Sequence, residues 1–284
     1  MKKIIYMLVF TQILIVSVYA ELNQKLMEQY WETSRAQGMF KLSQKGLKKD
    51  LFKATQLKKE DKKPLLLKEI NTFIRNPKYI EAYKKIFFSI DDIIYKDLIK
   101  FYNTTLGKKY SRLSISVDWM DSEEVKQKYK KIMKDYPLSM EKLKLISDID
   151  KELNLIELKV DWQRNFIFFQ KRVLYPDNNF TDAMIDRAVE IYKKKMKEYE
   201  PKLMSVLFYK FSEEELKEIL KYASSKILAI EVEYIYKAIL EFTKLSYMDL
   251  KKDYKRLAMI SYCQRFSTSS AFIPEDCKTE WLND

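Results

Sequence analysis

Three glycines, Gly38, Gly46 and Gly107, are all that this 284-residue sequence offers for backbone turns that need positive φ. Six prolines add few further breaks. Gly-rich phosphate loops and nucleophile elbows need several glycines in register, and so do the tight loops of parallel sheets. Long helices joined by short links remain. The apolar pattern agrees, because Leu, Ile, Phe and Tyr recur every three or four positions in most windows. The expected fold is all-α: a multi-helix bundle with two related helical repeats and no significant β-sheet.

Local signals place the helices. Asn76-Pro77 reads as a cap followed by proline at the first helical position. Ile90-Asp91 restarts the chain, Asp121 and Ser139 can cap the next helices, and Leu155 to Leu174 reads as a largely buried amphipathic helix. Tyr175-Pro176-Asp177-Asn178-Asn179 is a loop, after which Thr181 caps a helix through about Glu200, where Pro201 breaks or kinks it. Ser212 and Glu215 fit a capping box, with Phe211 and Leu216 as its apolar staple. One long helix is expected from there through Ala238, and Ser246 is expected to cap a last helix towards Tyr262.

The ends speak about compartment. Met1-Lys2-Lys3 precedes an apolar run from Ile4 to Val18, and Val18-Tyr19-Ala20 has the form of a cleavage site. The expected reading is a secretory signal peptide with cleavage after Ala20; the alternative, an uncleaved membrane anchor, is disfavoured because the run is short for a spanning helix. No later segment is expected to span a membrane. In an oxidising compartment, Cys263 and Cys277 are expected to form a disulfide across a loop from Gln264 to Asp276. Closing a loop of this size stabilises by about 3 kcal/mol on chain-entropy grounds. The chain is thus read as a signal (1–20), an N-terminal helical arm (21–63), a first helical unit (64–137), connecting helices and loop (138–180), a second helical unit (181–262) and a disulfide-closed tail (263–284).

Composition excludes several chemistries. There is no histidine, which removes the commonest general base, His-based triads and most zinc sites. No cofactor, metal ligand set or catalytic residue is assigned. The net charge is +12, or +10 once Lys2 and Lys3 leave with the signal. Lysine dominates this surplus, giving a diffuse positive field rather than the bidentate forks suited to phosphates or bases. Export disfavours nucleic acid as a partner. Another envelope protein or an anionic envelope component fits better.

Two windows align at an offset of 121: Tyr95-Lys96-Asp97-Leu98-Ile99-Lys100-Phe101 over Leu216-Lys217-Glu218-Ile219-Leu220-Lys221-Tyr222. Ile90-Asp91 then lies over Phe211-Ser212, and Asn103-Thr104 over Ser224-Ser225. The segment Leu98-Ile99-Lys100-Phe101-Tyr102-Asn103-Thr104-Thr105-Leu106-Gly107-Lys108-Lys109 resembles the helix-turn segment of the bacterial envelope domain-of-unknown-function family 2059. Thr105 stands where that family usually has Pro, and the second copy lacks both Pro and Gly. The resemblance implies an exported, all-helical protein and brings no catalytic residues. On physical grounds Phe101 and Tyr102 should end a helix against the core, with Gly107 allowing either close packing or a left-handed turn.

Asn179-Phe180-Thr181 is a glycosylation acceptor. Asp177 extends it towards the form used by bacterial oligosaccharyltransferases; Asn103-Thr104-Thr105 lacks that acid. A lysozyme-like enzyme would need one carboxyl of raised pKa. Glu157 and Glu241 are candidates because apolar residues flank them. Glu213, Glu214 and Glu215 read instead as first-turn charges favoured by the helix dipole. The twenty tyrosines and sixteen phenylalanines read mainly as core, with Trp281 as an exception in the tail. The leading expectation is an exported, non-enzymatic helical protein acting through contacts with an envelope component. A peptidoglycan-cleaving enzyme and a chaperone-like holdase are the alternatives.

Overall fold

The computed structural model describes residues 23–54, 64–117, 122–174 and 181–266. The signal and Ala20, the Asp121 cap, Asn179 with its loop, Cys277, the Cys263 side chain and Trp281 lie outside the described residues. Among those described, every regular element is helical and there is no strand. In chain order the elements are α1 (23–33), α2 (Ala36–Ala54), α3 (Pro64–Ile74), α4 (Pro77–Phe87), α5 (Asp92–Asn103), α6 (Thr105–Val117) and α7 (Ser122–Asp135). They continue as α8 (Met140–Leu153), α9 (Leu155–Phe169), a π-helical turn (Gln170–Leu174), α10 (Asp182–Phe208), α11 (Glu213–Ser224) and α12 (Ile227–Phe266).

The starts follow from local chemistry. Asn76, Asp91, Ser139 and Thr181 each accept a first-turn backbone N–H through the side chain, satisfying donors that the helix leaves unpaired. Ser212 and Glu215 close a reciprocal capping box, and Phe211 and Leu216 are both buried beside it.

Tertiary packing overrides other local signals. Pro201 does not end its helix: α10 runs through it to Phe208. A proline inside a helix costs roughly 3 kcal/mol, but Leu203 to Phe208 are all buried here. The Ser205 hydroxyl also donates to the Pro201 carbonyl at 2.8 Å. Conversely, the long helix expected from Ser212 through Ala238 is broken at Lys226, where φ is +66°. Ser246 is no cap. It is buried within α12, its hydroxyl donating to the Thr243 carbonyl at 3.0 Å. Residues 264–266, expected in a loop, finish α12. The Leu155–Leu174 segment divides into α9 and the π-helical turn, and is less buried than expected: Trp162 and Phe166 stay half-exposed, stacked on one another at 5.4 Å.

α12 is the spine. Its 40 residues extend ~60 Å at the helical rise, and it packs against α2, α3, α4, α5, α8, α9 and α11. α10 lies across α6, α7, α8 and α9. One continuous core joins buried residues from Met27 to Phe242. A small satellite of Val160, Ile185 and Val189 holds α9 to the start of α10.

Gly107 serves close packing, because its φ is not positive. A Cβ there would lie 2.6 Å from the Phe101 carbonyl carbon and 2.7 Å from the Tyr102 Cα. The glycine thus lets α6 turn tightly on the end of α5, where Phe101 and Tyr102 are buried. Some local features coincide at a spacing of 121 residues, although the helix ends differ, with ψ of 160° at Thr104 and 0° at Ser225. Asp91 and Ser212 cap α5 and α11, and both helices contain 12 residues. The Thr104 hydroxyl donates to the Phe101 carbonyl at 2.7 Å, and the Ser225 hydroxyl to the Tyr222 carbonyl at 2.8 Å.

Candidate functional site: a lysine-rimmed aromatic cleft

Two polar assemblies interrupt the packing. The first is buried at the centre. Glu231 occupies a position of the α12 apolar stripe that also carries Leu228, Val232, Ile235 and Ala238, and is fully buried. Tyr30 from α1 and Tyr102 from α5 both donate to its carboxylate at 2.7 Å. Arg35, between α1 and α2, approaches it at 3.4 Å and faces the Tyr110 ring at 5.1 Å. Burial, reinforced by the Glu231 charge, pushes the Tyr30 and Tyr102 hydroxyls well above the usual phenol range. Both hydroxyls are therefore held as donors. With its oxygens occupied and no solvent access, Glu231 is a structural anchor tying α1, α2, α5 and α12 together.

The second assembly opens to solvent. Along α10, Tyr192, Lys195, Met196, Tyr199, Lys202 and Leu203 recur at three- and four-residue steps and so share one face. Lys159 and Trp162 of α9 face them, with Tyr236 and Ile239 of α12, Met39 of α2 and Lys126 of α7 completing the walls. The cleft is open along one side and has a volume of about 610 Å³, within the ~300–1,000 Å³ typical of ligand clefts. Leu203, Met39 and Ile239 are buried; Lys126 and Lys195 are exposed, so the cations stand towards the mouth. The Trp162 indole Nε1 is shielded from solvent and has no hydrogen-bond partner among the described residues.

Beneath the cleft, the Lys159 ammonium donates to both oxygens of the fully buried Glu200, at 2.6 and 2.8 Å. A further cavity of about 40 Å³ shares Met39, Lys159 and Tyr236 with the cleft and reaches Arg35 and Tyr110. Near this pair, Asp150 is pushed up to about 6, first by burial and then by the Glu200 charge, with Lys159 and Lys151 pulling back. Burial likewise raises the Tyr192 hydroxyl.

The charge balance decides what the cleft can do. Its lining holds Lys126, Lys159, Lys195 and Lys202 against Glu198, and Lys159 is neutralised by Glu200. Lys195 and Lys202 have no ion-pair partner among the described residues, whereas Lys126 has one distant contact, to Glu123 at 3.8 Å. The carboxylates singled out from sequence lie elsewhere. Glu157 pairs with Lys193 at 2.8 Å and Glu241 with Lys244 at 2.9 Å. Both are half-exposed in ion pairs outside the cleft lining. Glu213 accepts from Ser139, and Glu215 from the ammonium of Lys109 at 2.5 Å, which ties α6 to the α10–α11 turn. Sequence reasoning missed Glu231 and Glu200. For Glu231 a signal was present, a carboxylate on a largely apolar helical face; Glu200 has Lys197 and Lys193 on its own face and carried no such signal.

No family model, curated protein or solved structure matches this chain. No helix of the described residues is long and apolar enough to cross a membrane, and none of them form a cluster suited to a metal ion.

Proposed function

We propose that this is an exported, non-enzymatic helical protein of the bacterial envelope that works by binding an anionic component of that compartment. The observation that carries this reading is the cleft itself: apolar and aromatic walls under a mouth where Lys195 and Lys202 lack carboxylate partners. The enzyme reading has less support. Glu198 is the cleft's own acid, and Glu200 below it is buried and held by Lys159. A holdase would call for a broad apolar groove, whereas this opening is compact and cationic. Export rests on the basic start, apolar run and Ala20 site of the sequence. Two related helical units are part of the same reading, supported by the matching caps and hydrogen bonds at Asp91 and Ser212 and at Thr104 and Ser225.

The test is co-sedimentation of the mature chain, from Glu21 onward, with an envelope fraction. The expected result is retention that weakens with added salt and drops in a Lys195→Glu/Lys202→Glu variant. Equal retention of that variant, or release of soluble fragments from purified cell-wall sacculi, overturns the proposal.

A further inference from the structure

Resting on that reading, we infer that the cleft's occupant is a single-chain amphiphile with an anionic head, of the fatty-acid type. The apolar end of the site is built for a chain. Met39 and Met196 give it adaptable thioether walls, and Leu203 and Ile239 close its buried side. The volume of about 610 Å³ suits one acyl chain better than the two chains of a membrane phospholipid.

The polar end is built for a simple anion. Its charged donors are lysines, which act as point charges; no arginine is present to grip a phosphate in bidentate fashion. The lining contains no Asn, Gln, Asp, Ser or Thr; Glu198 is its one carboxylate, and its neutral polar groups are the Tyr192, Tyr199 and Tyr236 hydroxyls and the Trp162 indole. Lys195 and Lys202 lie seven residues apart on α10, two turns along one face, and both are without ion pairs among the described residues. Lys202 is half-buried and Lys195 exposed, so the head would sit between them at the mouth while the chain runs inward past Trp162.

The experiment is calorimetric titration of the full mature chain, below micelle-forming concentrations. The probes are myristate, myristoyl lysophosphatidylglycerol, tetradecanol, butyrate and inorganic polyphosphate. Saturable one-to-one binding of myristate is expected, with tetradecanol and butyrate each at least about tenfold weaker, since neither combines chain with charge. Lys195→Glu/Lys202→Glu should weaken myristate about tenfold or more. Met196→Trp, which fills the cleft without changing its charge, should do the same. Circular dichroism of each variant verifies the fold. Binding of the lysophospholipid in place of myristate supports the same site with a lipid phosphate as its source. Tetradecanol binding as tightly as myristate, or both variants binding like the parent, overturns the inference. Charge-dependent binding of polyphosphate alone overturns it while leaving the proposed function standing; binding of no probe and no envelope material overturns both.

Discussion

Replacing Glu231 by Gln tests the claim that a buried carboxylate organises the core. The substitution keeps the shape and removes the charge. Arg35, whose side chain is 11% exposed, then loses the counter-charge 3.4 Å away. The Tyr30 and Tyr102 hydroxyls, each 2.7 Å from the carboxylate, exchange charge-assisted bonds for neutral ones. A bond to a charged group contributes about 1.5–3 kcal/mol and a neutral one about 1 kcal/mol. Removing one partner of a buried pair typically costs about 3–5 kcal/mol. That is a large part of the ~5–15 kcal/mol that keeps a protein folded, and corresponds to a Tm fall of roughly 5–10 °C for a chain of this size. Thermal and urea unfolding followed by far-UV circular dichroism would measure it. Adding Arg35→Met removes the cation that has lost this counter-charge, so the double variant should recover part of the loss, giving a coupling energy in the mutant cycle. A Glu231→Gln change within about 0.5 kcal/mol of the parent, the scatter of ordinary surface substitutions, refutes the reasoning. Strict additivity with Arg35→Met does so too.

Gly107→Ala should destabilise by about 1–3 kcal/mol in urea unfolding, because the new Cβ meets α5 backbone that cannot swing away; helix propensity alone has the opposite sign. Asp150 titrates at about 6 in the folded protein and near 3.9 when unfolded. The folded state therefore binds the extra proton between these values, and the group's contribution to stability is greatest below pH ~4 and is lost as pH rises through 6. Asp150→Asn should accordingly gain Tm relative to the parent as pH rises from 4 to 7, read from melting curves across that range; a difference independent of pH contradicts the assignment. Ser212→Ala should cost about 1 kcal/mol of stability to chemical denaturation by opening the capping box at the start of α11.

Helix starts were legible before any coordinates because capping is short-range chemistry. Asn76, Asp91, Ser139, Thr181 and Ser212 each satisfy donors within three residues of themselves. The all-α class followed from the same locality, through apolar periodicity and the scarcity of glycine. Where helices stop was less legible. Pro201 and Ser246 carry local signals for an end, yet burial of Leu203 to Phe208 holds α10 through the first, and Ser246 is itself buried within α12. Lys226 carries no such signal and still adopts the left-handed turn that separates α11 from α12.

The site depended on tertiary structure almost entirely. Glu157 and Glu241 have apolar neighbours in sequence, but a helix turns those neighbours away from them, and both end in half-exposed ion pairs. Glu231 is distinguished by partners 201 and 129 residues away in sequence. The cleft draws Lys126, Lys159, Lys195 and Lys202 together from three helices. The sequence alone determined periodicity, caps and net charge, because those are set by neighbours along the chain. Which charges are buried, which are paired and which are left facing a cavity was decided only when distant helices met, because desolvation and pairing depend on what packs alongside.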